Sequence, residues 1–124
     1  IDLSPELLNE AKRLHPNTTF VTGDLFDLPE QNNSFDWVIL SGALNEQLHD
    51  GSAYAYLVIQ RMYQLCRKGI AFNMLDARHL KAHDLHTQQP QVVLQFCQTL
   101  SPHVTLFDDY LANDFTLHLR KENT

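Results

Sequence analysis

Glycine is scarce in this chain. Its 124 residues include four, at positions 23, 42, 51 and 69. No two of them form a G-x-G, so the tight turn that lets a backbone approach a pyrophosphate in nicotinamide-dependent dehydrogenases has no counterpart. Cysteine is scarcer: Cys66 and Cys97 stand far apart and form no ladder of spacings. That excludes a small domain built on disulfides and points to reduced thiols in a cytosol-like compartment. No apolar run approaches the ~20 residues of a membrane-spanning helix. Positive charge is also short, with nine Lys and Arg against fifteen Asp and Glu and a net charge of −6. A nucleic-acid partner, which wants a basic face, fits poorly. No repeat, linker or low-complexity stretch divides the chain, so a single domain or part of one is expected.

The punctuation of what remains is regular. Ser4-Pro5-Glu6 starts a helix, with Ser at the N-cap, Pro at the first helical position and an acid in the first turn. Leu7, Leu8, Ala11 and Leu14 supply its apolar stripe, and His15-Pro16-Asn17 stops it. Ile1-Asp2 reads as the end of a strand, which leads us to expect an upstream segment. Thr18 to Thr22 is β-branched and aromatic, a short strand. Leu25 to Ser34 reads as loop. Phe35 to Ser41 contains the unbroken apolar run Trp37 to Leu40, which predicts a strand buried on both faces. A polar loop follows, and then a helix from Ser52 to Lys68. Arg67 and Lys68 would lie in its last turn, with Gly69 as the residue just past its end. Ile70 to Leu75 is a further strand. Pro90 opens a helix with Val93, Phe96, Cys97 and Leu100 on one face, closed by Ser101-Pro102. Val104 to Phe107 and Phe115 to Arg120 alternate in period two around a turn, as an antiparallel hairpin does. The order β-α-β-β-α-β-α-β-β predicts a three-layer α/β fold.

In open α/β sheets ligands bind at the carboxyl ends of strands. Three such ends are polar here: Asp2, Asp24 and Ser41. An acid at a strand end commonly accepts hydrogen bonds from ribose hydroxyls. A second acid one strand over can accept from an adenine amino group. Each residue also has a purely structural reading, Asp2 as a helix-cap partner and Asp24 as half of a Gly-Asp turn. His79, His83 and His86 could share a helical face, but no Cys or acid completes a zinc set beyond the nearby Asp76 and Asp84. We expect no metal there, only a solvated face or a lid. Tyr54, Tyr56 and Tyr63 read as packing, as do Cys66 and Cys97. Asn73 to Asp76 would line the cleft at a strand end. Tyr110 reads as one half of a cross-strand aromatic pair, with substrate contact as the other option.

Taken in order, IDLSPELLNEAKRL, FVTGDLFDLP and SFDWVILSGAL resemble the class I S-adenosylmethionine (SAM) methyltransferases. LCRKG is similar to the turn that precedes their fifth strand, and the closing hairpin to their sixth and seventh strands. The resemblance implies a Rossmann-like α/β/α sandwich, its sheet mostly parallel with a C-terminal antiparallel hairpin. Residues 1–124 would run from the second strand to the seventh, as a partial methyltransferase domain. The family's first strand and glycine-rich loop have no match in these residues. We therefore expect an upstream strand, or a homo-oligomer in which strand exchange fills the central gap. The resemblance further implies SAM as cosubstrate, with Asp2 and Leu3 at the ribose and Gly23, Asp24 and Leu25 at the adenine edge. Ser41 and Gly42 would lie beside the methionine part. Asn45, Glu46 and His49, in the loop after the fourth strand, would face the transferred methyl and bind substrate; His49 could take a proton near neutral pH. No catalytic residue is singled out, because in-line methyl transfer depends chiefly on holding the nucleophile against the methyl carbon. Ser41-Gly42-Ala43-Leu44 is not the Asn/Asp-Pro-Pro-aromatic motif of nucleic-acid amino-methylating enzymes. The expected acceptor is a small molecule, with neither nucleic acid nor membrane as partner, in the cytoplasm. A non-catalytic binding module with the same fold is the alternative.

Overall fold

A computed structural model of the chain describes residues 1–44, 53–79 and 87–121. The chain forms two compact units, Ile1–Glu30 and Gln31–Thr124.

In the first unit, helix α1 (Pro5–Leu14) begins as its sequence dictates. Ser4 is extended, and its Oγ accepts a hydrogen bond from the Leu7 N–H at 3.3 Å. The His15 N–H closes the other end on the Ala11 carbonyl. Of the apolar stripe only Leu8 is buried; Leu7 and Leu14 are exposed. The two strands expected here reduce to one isolated parallel bridge between Asp2 and Thr22. The Asp2 N–H donates to the Val21 carbonyl and the Gly23 N–H to the Asp2 carbonyl. Two hydrogen bonds do not make a ladder, because parallel pairing is stable only when further strands extend it. A one-turn 3-10 helix, Leu25–Asp27, occupies part of the expected loop.

The second unit holds a mixed five-stranded sheet: β1 (Phe35–Leu40), β2 (Cys66–Asp76), β3 (Thr87–Gln88), β4 (His103–Phe107) and β5 (Asp114–Arg120). The strand order is β1-β2-β5-β4, with β3 paired to β2. β1 and β3 run parallel to β2, whereas β5 is antiparallel to both β2 and β4. The predicted hairpin is thus present, and β5 inserts between β2 and β4. Among the described strands the sheet is therefore partly antiparallel, and both antiparallel pairs involve the closing hairpin. Helices α2 (Ala53–Leu65) and α3 (Pro90–Leu100) cover one face. That face shows a row of buried residues across paired positions: Ile70 beside Leu119, Phe72 beside Leu117 and Met74 beside Phe115. Ile59, Met62 and Leu65 of α2 and Val93 and Cys97 of α3 complete the core. Tyr56 stacks on Phe96 with ring centroids 4.1 Å apart, joining the two helices.

Three expectations are corrected. Among the described residues β1 is an edge strand with one paired neighbour, so its alternate residues Trp37 and Ile39 are 44% and 75% exposed and not buried on both faces. Helix α2 ends at Leu65, and the chain enters β2 at Cys66 without a turn. Arg67, Lys68 and Gly69 are strand residues, since the pairing of Cys66 with Phe35, and of Gly69 with Trp37 on one side and Arg120 on the other, outweighs the local helix-end signals. Ser52, the expected cap, lies outside the described residues. Gly69 is needed for close approach and not for a turn. A Cβ there would come within 2.5 Å of the Leu119 carbonyl oxygen and of the Trp37 ring.

Because the carbonyl belongs to a paired strand and cannot withdraw, Gly69→Ala should lower stability by about 1–3 kcal/mol. Urea unfolding followed by circular dichroism measures it; an unchanged midpoint would refute the close contact.

Candidate functional site

Two sets of strand-end residues carry the polar chemistry, one in each unit. In the first, Asp2 is held twice over. Its backbone forms the bridge to Val21 and Gly23, and its Oδ1 accepts from the Ser4 N–H at 2.9 Å. Asp24 follows the same plan one turn later. Its Oδ1 accepts from the Phe26 N–H at 2.9 Å, and its carbonyl accepts from the Asp27 N–H. Between them Gly23 has φ +147°, a backbone state that side chains disfavour. The structural readings of both acids are thus realised, and they leave the functional ones open. Each carboxylate uses one oxygen to fix its own orientation. Among the described residues, the other oxygen of each has no hydrogen-bond partner. Leu3 is exposed and Leu25 half-buried.

In the second unit, β1 ends at Leu40 and the chain turns through Ser41 and Gly42, the latter at φ +74°. The Gly42 N–H donates to Asn73 Oδ1 at 2.7 Å, and Asn73 Nδ2 donates to Ser41 Oγ at 3.2 Å. Asn73 lies on β2, across from Thr116 of β5. Thr116 Oγ1 is 2.6 Å from the Tyr110 hydroxyl, which also donates to Asp114 Oδ2 at 3.1 Å. Burial pushes the Tyr110 phenol pKa up. Tyr110 is therefore hydrogen-bonded and not stacked across the strands. The aromatic contact of the hairpin is instead Phe107 on His118, with centroids 4.8 Å apart.

Beyond Asn73, β2 ends in Asp76, which is 0% exposed although charged. Arg78 satisfies it, donating through its backbone N–H at 2.9 Å, through Nε at 3.1 Å and through a terminal nitrogen at 2.8 Å. The same guanidinium reaches Asp108 at 3.1 Å and so ties the end of β2 to the β4–β5 connection. These bonds hold the Asp76 carboxyl below its ordinary pKa against the opposing effect of burial. The thiols take no part: burial raises Cys66, and it pushes Cys97 up to about 12. Both are unpaired and buried, as packing residues are.

Residues 1–69 match the family described as a methyltransferase domain. The chain belongs to that family. Its fold is that of the class I SAM-dependent methyltransferases. The magnesium protoporphyrin IX methyltransferase of Synechocystis PCC 6803, solved with bound S-adenosylhomocysteine, superposes with a TM-score of 0.65 at 14% identity. That match covers 94% of this chain and 57% of the other. A SAM-dependent methyltransferase from Aquifex aeolicus gives 0.63 at 9% identity, covering 95% of this chain and 65% of that one. The chain thus spans less than two-thirds of the length of either protein. No curated protein matches the sequence.

Of the expected site residues, the Gly23 N–H bonds to the Asp2 carbonyl with Asp24 next in the chain, and Ser41 and Gly42 share Asn73. Asn45, Glu46 and His49 lie outside the described residues, as do Asp84, His83 and His86 of the His-rich stretch. The role of Asn73 as a clamp on the β1 exit was missed, although its signal is in the sequence: it is the polar interruption in the apolar run IAFNML. No helix among the described residues is long and apolar enough to cross a membrane.

The depressed Asp76 pKa makes a stability prediction. A carboxyl whose folded pKa lies below its unfolded one stabilises above the unfolded value, and that contribution is lost as pH falls through the folded one. Asp76→Asn should cost about 1.5–3 kcal/mol at pH 7, the range for hydrogen bonds to a charged group. The gap from wild type should close below about pH 4. Urea titrations across pH 2–8 measure it; a pH-independent difference would exclude the ion pair as the cause.

Proposed function

We propose that the chain forms part of a SAM-dependent methyltransferase acting on a small-molecule acceptor. The observation that carries this reading is the state of Asp2 and Asp24. A carboxylate with one oxygen pinned by a backbone N–H and the other open is a pre-oriented acceptor, which costs little further ordering on binding. In this reading the open oxygen of Asp2, with Leu3 beside it, takes the ribose hydroxyls. Asp24 takes the adenine amino group, with Gly23 shaping the approach and the Leu25 N–H reading the ring edge. Ser41 and Gly42 serve the methionine part. Bound there, SAM would supply a methyl group activated on a sulfonium sulfur.

The residues of the chain bind and orient. Holding a nucleophile in line can contribute ~7–11 kcal/mol to such a reaction, so a dedicated base is not required. Asn45, Glu46 and His49 are proposed to contact the acceptor. A small molecule is favoured over nucleic acid by the net charge of −6 and by the Ser-Gly-Ala-Leu sequence that follows β1. The cytoplasm is proposed as the compartment, on the two unpaired buried thiols.

Calorimetric titration of S-adenosylhomocysteine into the intact protein tests the reading. Charge-assisted hydrogen bonds contribute about 1.5–3 kcal/mol, so Asp2→Ala and Asp24→Ala should each weaken binding by about 10- to 150-fold. Failure of the intact protein to bind, or equal affinity in both variants, would leave the binding-module alternative standing.

A further inference from the structure

The β1 exit carries a second piece of design. Asparagine is poorly suited to the interior of a paired strand, and Asn73 sits between Phe72 and Met74, both buried. Both ends of its carboxamide are engaged. A backbone N–H can only donate, so the atom facing Gly42 is Oδ1 and the atom facing Ser41 is Nδ2. This orientation has a consequence for Ser41. Its oxygen already accepts from Nδ2, so its own proton points elsewhere, and among the described residues that proton has no acceptor.

We propose that Asn73 is a positioning residue, whose carboxamide locks the left-handed Ser41–Gly42 turn and commits the Ser41 hydroxyl to donate to the carboxylate of the cosubstrate's amino-acid portion. This rests on the reading that Ser41 and Gly42 serve the methionine part. The 2.7 Å bond from the Gly42 N–H holds the turn at φ +74°, so the donor is in place before ligand arrives. The cross-strand neighbour Thr116, whose hydroxyl bonds to Tyr110, supports the same end of the sheet from β5. Replacing the amide by a carboxylate would invert the arrangement. The acceptor for Gly42 would remain, but Ser41 would turn its proton inward onto residue 73.

Two probes separate the ligand's parts: S-adenosylhomocysteine, which carries the amino-acid portion, and 5′-methylthioadenosine, which lacks it. In the intact protein, Asn73→Ala, Asn73→Asp and Ser41→Ala should each weaken S-adenosylhomocysteine by about tenfold. The double variant Asn73→Ala/Ser41→Ala should be no worse than either single one, because one residue acts through the other. Methylthioadenosine should bind all variants within about twofold of wild type. Additive losses, equal losses for both probes, or no loss would each overturn the proposal. Hydrogen exchange at the Gly42 amide separates the two readings. Exchange about tenfold slower than in Asn73→Ala upholds the lock even if the intact protein takes up neither compound, and that result would sink only the cosubstrate assignment. Equal exchange rates overturn the lock.

Discussion

The eleven residues of β2 pair along both edges, with β1 and then β3 on one side and β5 on the other. The larger unit depends on this ladder. It sets which residues face the helices: Ile70, Phe72 and Met74 point to the same side as Leu119, Leu117 and Phe115 of β5, and α2 and α3 close over them. It also sets where β1 ends, because β1 follows β2 from Phe35 to Leu40 and leaves it one residue before Asn73 would have been paired. A register slip by one residue would turn every one of these side chains to the opposite face. Gly69 shows how tight the constraint is. At that position the β5 backbone and the Trp37 ring close in from two directions, and no other residue fits without displacement.

The polar residues at the ends of the strands follow from the same geometry. A strand that stops releases backbone groups and exposes side chains, and hydrogen bonds here take up part of both. Asp2 and Asp24 bind backbone N–H groups two residues ahead, Asp76 does the same with Arg78, and Asn73 reaches from one strand to the exit of its neighbour. The bonds of Asp2 and Asp24 are local, so they orient each carboxylate and leave its second oxygen open. Asp76 is the exception: fully buried, it is fully satisfied, as a charge removed from water must be. The open carboxylates and the turn at Gly42 are the features to which the proposed cosubstrate is assigned.

Much of this was legible in the sequence. The Ser4-Pro5-Glu6 start, the helix at Pro90 and the period-two hairpin were read from local chemistry, and each formed as read. The family resemblance rested on short motifs in a fixed order, and that order survived. What the sequence misplaced were features that depend on neighbours. The run Trp37 to Leu40 looks buried on both faces from composition alone, but burial is a property of what lies beside a strand. Arg67-Lys68-Gly69 carries good helix-end chemistry, yet the ladder took those residues. Tyr110 suggested an aromatic pair, and a hydroxyl partner proved stronger than a ring.

By itself, the sequence determined where α1 and α3 begin, the two strands of the closing hairpin, and which acids and glycines stand at strand ends. These are set within a few residues, by backbone conformational preference and by side chains reaching their own backbone. Only the tertiary structure decided that β5 runs between β2 and β4, that Gly69 lies at a crossing of strand and ring, and that Asn73 clamps Ser41 and Gly42. The contacts of β2 with β5, of Gly69 and of Asn73 join residues about thirty or more positions apart, and no local preference encodes them. They exist because burying one continuous apolar face fixes a single strand register, and that register brings the distant groups within hydrogen-bonding reach.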